Sequence, residues 1–150
     1  MVTASHRTAE GAAALKQQGY KTVAASAGVL SGRSSVTDIL TSIAPTEDGD
    51  PVLQTWSDWI DTQQTLRSLH YLSSTNVYGD HSGAWVDETS QTRPSLPRGV
   101  RRLAAEKAWH QQASTAGIAC FIYRLAGIYG PGRNALVALK RAAARRIIKP

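Results

Sequence analysis

The chain of 150 residues is long enough for one domain with a real core, and its composition is that of an ordinary globular protein. No apolar run approaches the ~20 residues of a membrane-spanning helix, and the opening residues lack the apolar stretch of a secretory signal, so no membrane partner is expected. The net charge of +6 hides a division: residues 1–90 carry 5 Lys/Arg against 10 Asp/Glu, and residues 91–150 carry 12 against 1.

In chain order, residues 2–5 suit the tail of a strand, with Arg7 just past its end. Residues 8–18 are alanine-rich and helix-prone, and Gly19 supplies the stop. Residues 21–25 read as a short strand and 27–35 as a loop. Residues 36–44 read as a further strand, stopped by Pro45, and 46–51 carry loop chemistry. From 52 to 66 the apolar residues Val52, Leu53, Trp56, Trp59, Ile60 and Leu66 form a helical stripe. Leu69, Tyr71 and Leu72 lead a buried strand into Ser73, Ser74 and Thr75, and a Tyr78-Gly79 turn closes it. A long loop over 80–97 follows, of a length that is usually functional or mobile. Residues 98–116 are helix-prone and end at Gly117. Residues 118–126 form a second apolar strand, which runs into its own Tyr129-Gly130 turn. Residues 134–148 suit a basic, alanine-rich helix. Two strands that end alike with a helix between them predict a parallel pair joined by a crossover. The alternation as a whole predicts an α/β sheet, whose polar strand ends are where such sheets place their chemistry. Cys120 cannot form an internal disulfide and reads as a small core residue of a protein in a reducing compartment. No cluster with metal-ligand spacing stands out, and no metal is expected.

Four short motifs in order sharpen this. They are Ser73-Ser74-Thr75-Asn76-Val77-Tyr78-Gly79, then Asp87-Glu88, then Leu103-Ala104-Ala105-Glu106, then Arg124 to Arg133, R-L-A-G-I-Y-G-P-G-R. Together they resemble extended short-chain dehydrogenase/reductases, the NAD-dependent epimerase/dehydratase group, and an atypical branch of it. The resemblance implies a Rossmann-type, doubly wound parallel sheet and NADP or NAD as cofactor. It places Ser74 where the family's hydroxyl binds a substrate oxygen beside the nicotinamide. It also suggests Ser42, Ser73, Arg102 and Tyr129 as cofactor contacts. Arg7, where such folds read the adenosine ribose, suits a 2′-phosphate and hence NADP.

Two departures matter. Counting back from Glu106, the family's Tyr-x-x-x-Lys pair falls on Arg98 and Arg102. An arginine does not give up its proton, so the usual relay is absent from its usual place. The Asp-Glu that follows the Ser/Thr in the group's sugar dehydratases is Thr75-Asn76 here, which argues against dehydration. Tyr78, Asp80 and His81 stand at the turn and are candidates to replace the acid/base, Tyr78 and His81 foremost. Trp85, Asp87 and Glu88 lie in the loop that borders the family's substrate pocket.

No glycine-rich dinucleotide loop occurs. The expectation is therefore an incomplete Rossmann domain over residues 1–150, lacking the first strand, its glycine loop and the C-terminal substrate-binding part. Such a piece is expected to be unstable alone and to bind NAD(P) poorly. Three functions are compatible with these residues. The first is an NAD(P)-dependent oxidoreductase or epimerase-like enzyme acting on an unknown small molecule. The second is a non-catalytic dinucleotide-binding sensor or scaffold. The third is a nucleic-acid binder using the basic second half. A cytoplasmic location is expected, with an upstream transit peptide left open.

Overall fold

The computed structural model describes residues 2–26 and 35–141. Five strands and four α-helices alternate along it: β1 (Thr3–His6), α1 (Ala9–Gln17), β2 (Lys21–Ala24), β3 (Asp38–Thr41), α2 (Pro51–Asp61), β4 (Ser68–Ser74), α3 (Pro97–Ala116), β5 (Ala119–Leu125) and α4 (Ala135–Lys140), with a single 3-10 turn at Thr75–Val77 after β4. The loop expected over 27–35 and the end of the basic helix expected to reach 148 lie mostly outside the described residues.

All strand pairs are parallel. β1 pairs with β2, and β3, β4 and β5 form a second sheet in that order. Ser68 to Ser74 stand opposite Ala119 to Leu125 in unbroken register, with α3 as the crossover between the two strands. Parallel pairing throughout is what a Rossmann-type sheet requires. Among the described residues no strand pairing joins the two sheets.

Local chemistry explains the boundaries. Thr8 caps α1, its Oγ1 accepting from the Gly11 N–H at 3.1 Å. Asp50 caps α2, one carboxylate oxygen accepting from the N–H groups of Val52 and Leu53 at 2.9 and 3.3 Å. Its other oxygen takes the Trp109 indole N–H at 2.9 Å, which ties α2 to α3. Gly117 ends α3 in the left-handed conformation at φ +67°. The helix expected to reach residue 66 stops at Asp61, where the Thr62 hydroxyl donates to the Trp59 carbonyl. Leu66 still reaches the core, from the loop.

That core lies on one side of the three-stranded sheet. Leu69 and Tyr71 of β4 pack against Val52 and Ile60 of α2 and against Ala105, Trp109 and Ala113 of α3. On the opposite side Leu40, Phe121, Tyr123 and Leu125 are exposed. There His70 stacks on Phe121 and Tyr123 and joins a polar chain. Asp38 accepts from Ser68, Ser68 meets His70 Nε2 at 2.8 Å, and His70 Nδ1 meets the Tyr123 hydroxyl at 2.9 Å. Since the Ser68 proton goes to Asp38, Nε2 carries the proton in its bond to Ser68.

Candidate functional site

Parallel strands bring their C-terminal ends to one edge of each sheet. Arg7 follows β1, Ser42 follows β3, Ser74 ends β4, and Tyr129 lies four residues beyond β5. Arg7 and Ser42 are exposed, and Tyr129 is 85% exposed. This edge is where open α/β sheets bind their ligands.

Ser74 is half-buried and caps the turn after β4, its Oγ accepting from the Asn76 N–H at 3.3 Å. That bond uses a lone pair and leaves the hydroxyl proton for a ligand oxygen. The first turn of α3 closes on the same place. A Cβ on Gly99 would stand 2.7 Å from the Asn76 carbonyl oxygen, so only glycine permits this approach. Arg102 then lies along β4. Its guanidinium donates to the Tyr71 hydroxyl at 3.0 Å and to the Leu72 carbonyl at 3.1 Å, and it sits over the Tyr71 ring at 5.6 Å. Burial pushes the Tyr71 hydroxyl up to about 12, so it meets Arg102 as a neutral group.

Behind Ser74 runs a buried ionic chain that sequence patterning alone does not assign. The Ser73 hydroxyl donates to Glu106, which is only 3% exposed. Arg124 of β5 grips both Glu106 oxygens, with its closest contact at 2.9 Å, and donates to the Tyr78 hydroxyl at 3.1 Å. The Arg124 guanidinium also lies 4.9 Å from the centre of the Tyr78 ring. Hydrogen bonding to Glu106 raises the arginine's pKa. The chain thus locks β4, the Tyr78 turn, α3 and β5 together directly behind the strand end.

A pocket of about 520 Å³ opens beside this chain, lined by Thr75, Tyr78, Val86, Asp87, Glu88, His110, Ile122 and Arg124. Asp87 serves its own loop: hydrogen bonds from Thr89 and then Ser90 hold its carboxyl below the usual range. Trp85 points fully into solvent.

The candidates therefore fall into two sets. Ser74 and Ser42 stand at strand ends of the three-stranded sheet and Tyr129 beyond β5, while Arg7 follows β1 of the two-stranded sheet. Ser73, Tyr78 and Arg102 are engaged by Glu106, Arg124 and Tyr71 respectively. His81 packs edge-on to Tyr78 at 6.4 Å, and its Nε2 donates to the Gln91 carbonyl at 3.1 Å. Arg98 makes no ion pair among the described residues. Two features of the sequence point to the ionic chain: Glu106 is the single acidic residue of the basic half, and Arg124 interrupts an apolar strand.

The fold is that of a parallel-stranded α/β protein, and comparison narrows the class. Residues 7–149 match the NAD dependent epimerase/dehydratase family, and the chain belongs to that family. A functionally unknown conserved protein from Silicibacter pomeroyi DSS is 40% identical, superposes with a TM-score of 0.80, and is matched over 97% of this chain and 51% of its own. The uncharacterized UDP-glucose epimerase YtcB of Bacillus subtilis (strain 168) is 30% identical over 79 residues, 53% of this chain and 25% of that protein. UDP-glucuronic acid 4-epimerase from Bacillus cereus, solved in complex with NAD, is 30% identical at a TM-score of 0.50, over 60% of this chain and 28% of its own. The chain spans about half the length of the Silicibacter protein and about a quarter of the B. subtilis one. Among the described residues no helix is long and apolar enough to cross a membrane.

Proposed function

We propose that this chain supplies the dinucleotide-binding, strand-end part of an NAD(P)-dependent epimerase-like or oxidoreductase enzyme. Ser74 would orient the reacting oxygen of a small-molecule substrate. The observation that carries this reading is the Ser74 hydroxyl, half-buried at the end of the central strand β4 with its proton uncommitted among the described residues, in a chain of an NAD-dependent family. The exposed side chains that follow the strands suit a dinucleotide: Arg7, after β1, would meet the adenosine ribose, and Ser42 and Tyr129 would line its path. Arg7 favours a 2′-phosphate, hence NADP over NAD. A bound nicotinamide would supply the hydride acceptor. Ser74 would hold the substrate oxygen by donating to it, and the chain through Glu106 would hold Ser74's strand in place. Neither Arg98 nor Arg102 can take the hydroxyl proton.

That last point favours a second reading, a dinucleotide-binding protein without turnover. The change in NAD(P)H absorbance with nucleotide-sugar substrates separates the two. Turnover that Ser74→Ala abolishes while nucleotide binding persists supports the enzyme. Binding without turnover across such substrates supports the sensor.

A further inference from the structure

Arg98 and Arg102 lie four residues apart on α3 and so share one face of it, one turn apart. The direction of α3 fixes their height. Gly99 sits against the Asn76 carbonyl, and Glu106 meets Ser73, so α3 runs back along β4 from its C-terminal end. Arg98 therefore stands level with the turn that follows Ser74, and Arg102 reaches down to Leu72 just before it.

Neither charge is compensated among the described residues. Arg102 is half-buried, and its partners are a neutral hydroxyl and a backbone carbonyl. The nearby carboxylates are committed elsewhere: Glu106 pairs with Arg124, and Asp50 caps α2 and holds Trp109. Arg101, by contrast, points to Glu47 at 3.6 Å. A half-buried guanidinium without a counter-charge is costly unless an anion completes it, and two guanidinium forks match the planar geometry of an oxyanion.

We infer that Arg98 and Arg102 form an oxyanion-binding subsite beside Ser74, so that the substrate carries a carboxylate or phosphoryl group close to its reacting oxygen. The inference rests on the proposed function for the word substrate, and the site itself is tested without nucleotide. Inorganic phosphate and acetate are titrated into the protein by calorimetry at constant ionic strength. Saturable binding of either ion is expected, weakened at least tenfold by Arg98→Gln and by Arg102→Gln and unchanged by Arg101→Gln. The ion bound more tightly identifies the group. Arg98 is exposed, so Arg98→Gln remains informative if Arg102→Gln disturbs the fold; a thermal melt checks both. The titration is repeated with NADP present. Anion binding that survives bound NADP supports a substrate subsite, whereas competition assigns the arginines to the cofactor and overturns the inference. Absence of saturable binding, or binding indifferent to Arg98→Gln, also overturns it. Nucleotide binding in the absence of anion binding would leave the proposed function standing, and the converse would leave the subsite standing, so the two fail separately.

Discussion

At the scale of single residues, the site rests on an ion pair between the buried Glu106 and the partly buried Arg124. Glu106 and Arg124 join two strands, a helix and the Tyr78 turn, and a buried pair is far more costly to break than to replace as a unit. Glu106→Gln leaves the Arg124 guanidinium without its counter-charge and is expected to cost about 3 kcal/mol, read as a shift in the urea midpoint. A loss under about 1 kcal/mol would show that the pair is solvated. Tyr71 gives the pH dependence. Its folded pKa, about 12, lies above its ordinary value of 10.0 because burial disfavours the phenolate. Between those values the folded state holds a proton that the unfolded state has released. Stability is therefore complete below pH 10 and falls as pH rises toward 12, by about 2 kcal/mol. Tyr71→Phe should flatten that fall in a stability-against-pH series, and an unchanged slope would assign the alkaline loss to other groups.

At the scale of elements, two glycines of the site segment differ in what they permit. Gly79 and Gly83 both have positive φ, +73° and +79°. A Cβ on Gly79 would stand 1.9 Å from the Arg93 carbonyl oxygen, whereas one on Gly83 meets nothing. Gly83→Ala should cost about 1 kcal/mol, the left-handed penalty alone. Gly79→Ala should cost clearly more, because the Gly79–Arg93 bridge that folds the long loop back must open. Equal melting temperatures for the two variants would contradict this.

These elements also mark how far the sequence could be read. Helix stops carried by one residue's chemistry, such as Gly19 and Gly117, were legible. The strand over 36–44 shrank to Asp38–Thr41, because Val36 and Ile43 pack on the core without joining the ladder. The stripe continuing to Leu66 suggested a longer helix for the same reason: a loop can bury apolar side chains too. Ser74 was legible as a polar residue ending an apolar run. The role of Glu106 was not, since a carboxylate in an alanine-rich helix reads as surface, and its contact with Arg124 spans 18 residues that no local pattern connects.

At the scale of the whole molecule, the two sheets are unequal. The buried core belongs to β4, α2, α3 and the loop before β4. The β1–β2 pair contributes one buried apolar residue, Val23, and α1 buries none. A two-stranded sheet with one such anchor is marginal in water, and stability within a chain follows local burial. The two parts do touch, through the Trp56 indole donating to the Ser26 carbonyl at 3.4 Å, but that is a weak tie. Unfolding of residues 1–150 is therefore expected to proceed in two stages. In native-state hydrogen exchange, amides of Thr3–His6 and Lys21–Ala24 should exchange by a low-energy local opening, while those of Ser68–Ser74, the middle of α3 and Ala119–Leu125 exchange only with global unfolding. Among the described residues β1, β2, β3 and β5 each leave one edge without a strand partner, which offers the opening a route to association between chains. Hydrogen exchange repeated at rising protein concentration should therefore protect the amides of the weakly anchored β1–β2 pair first. Uniform protection across both sheets, independent of concentration, would mean that they unfold as one cooperative unit.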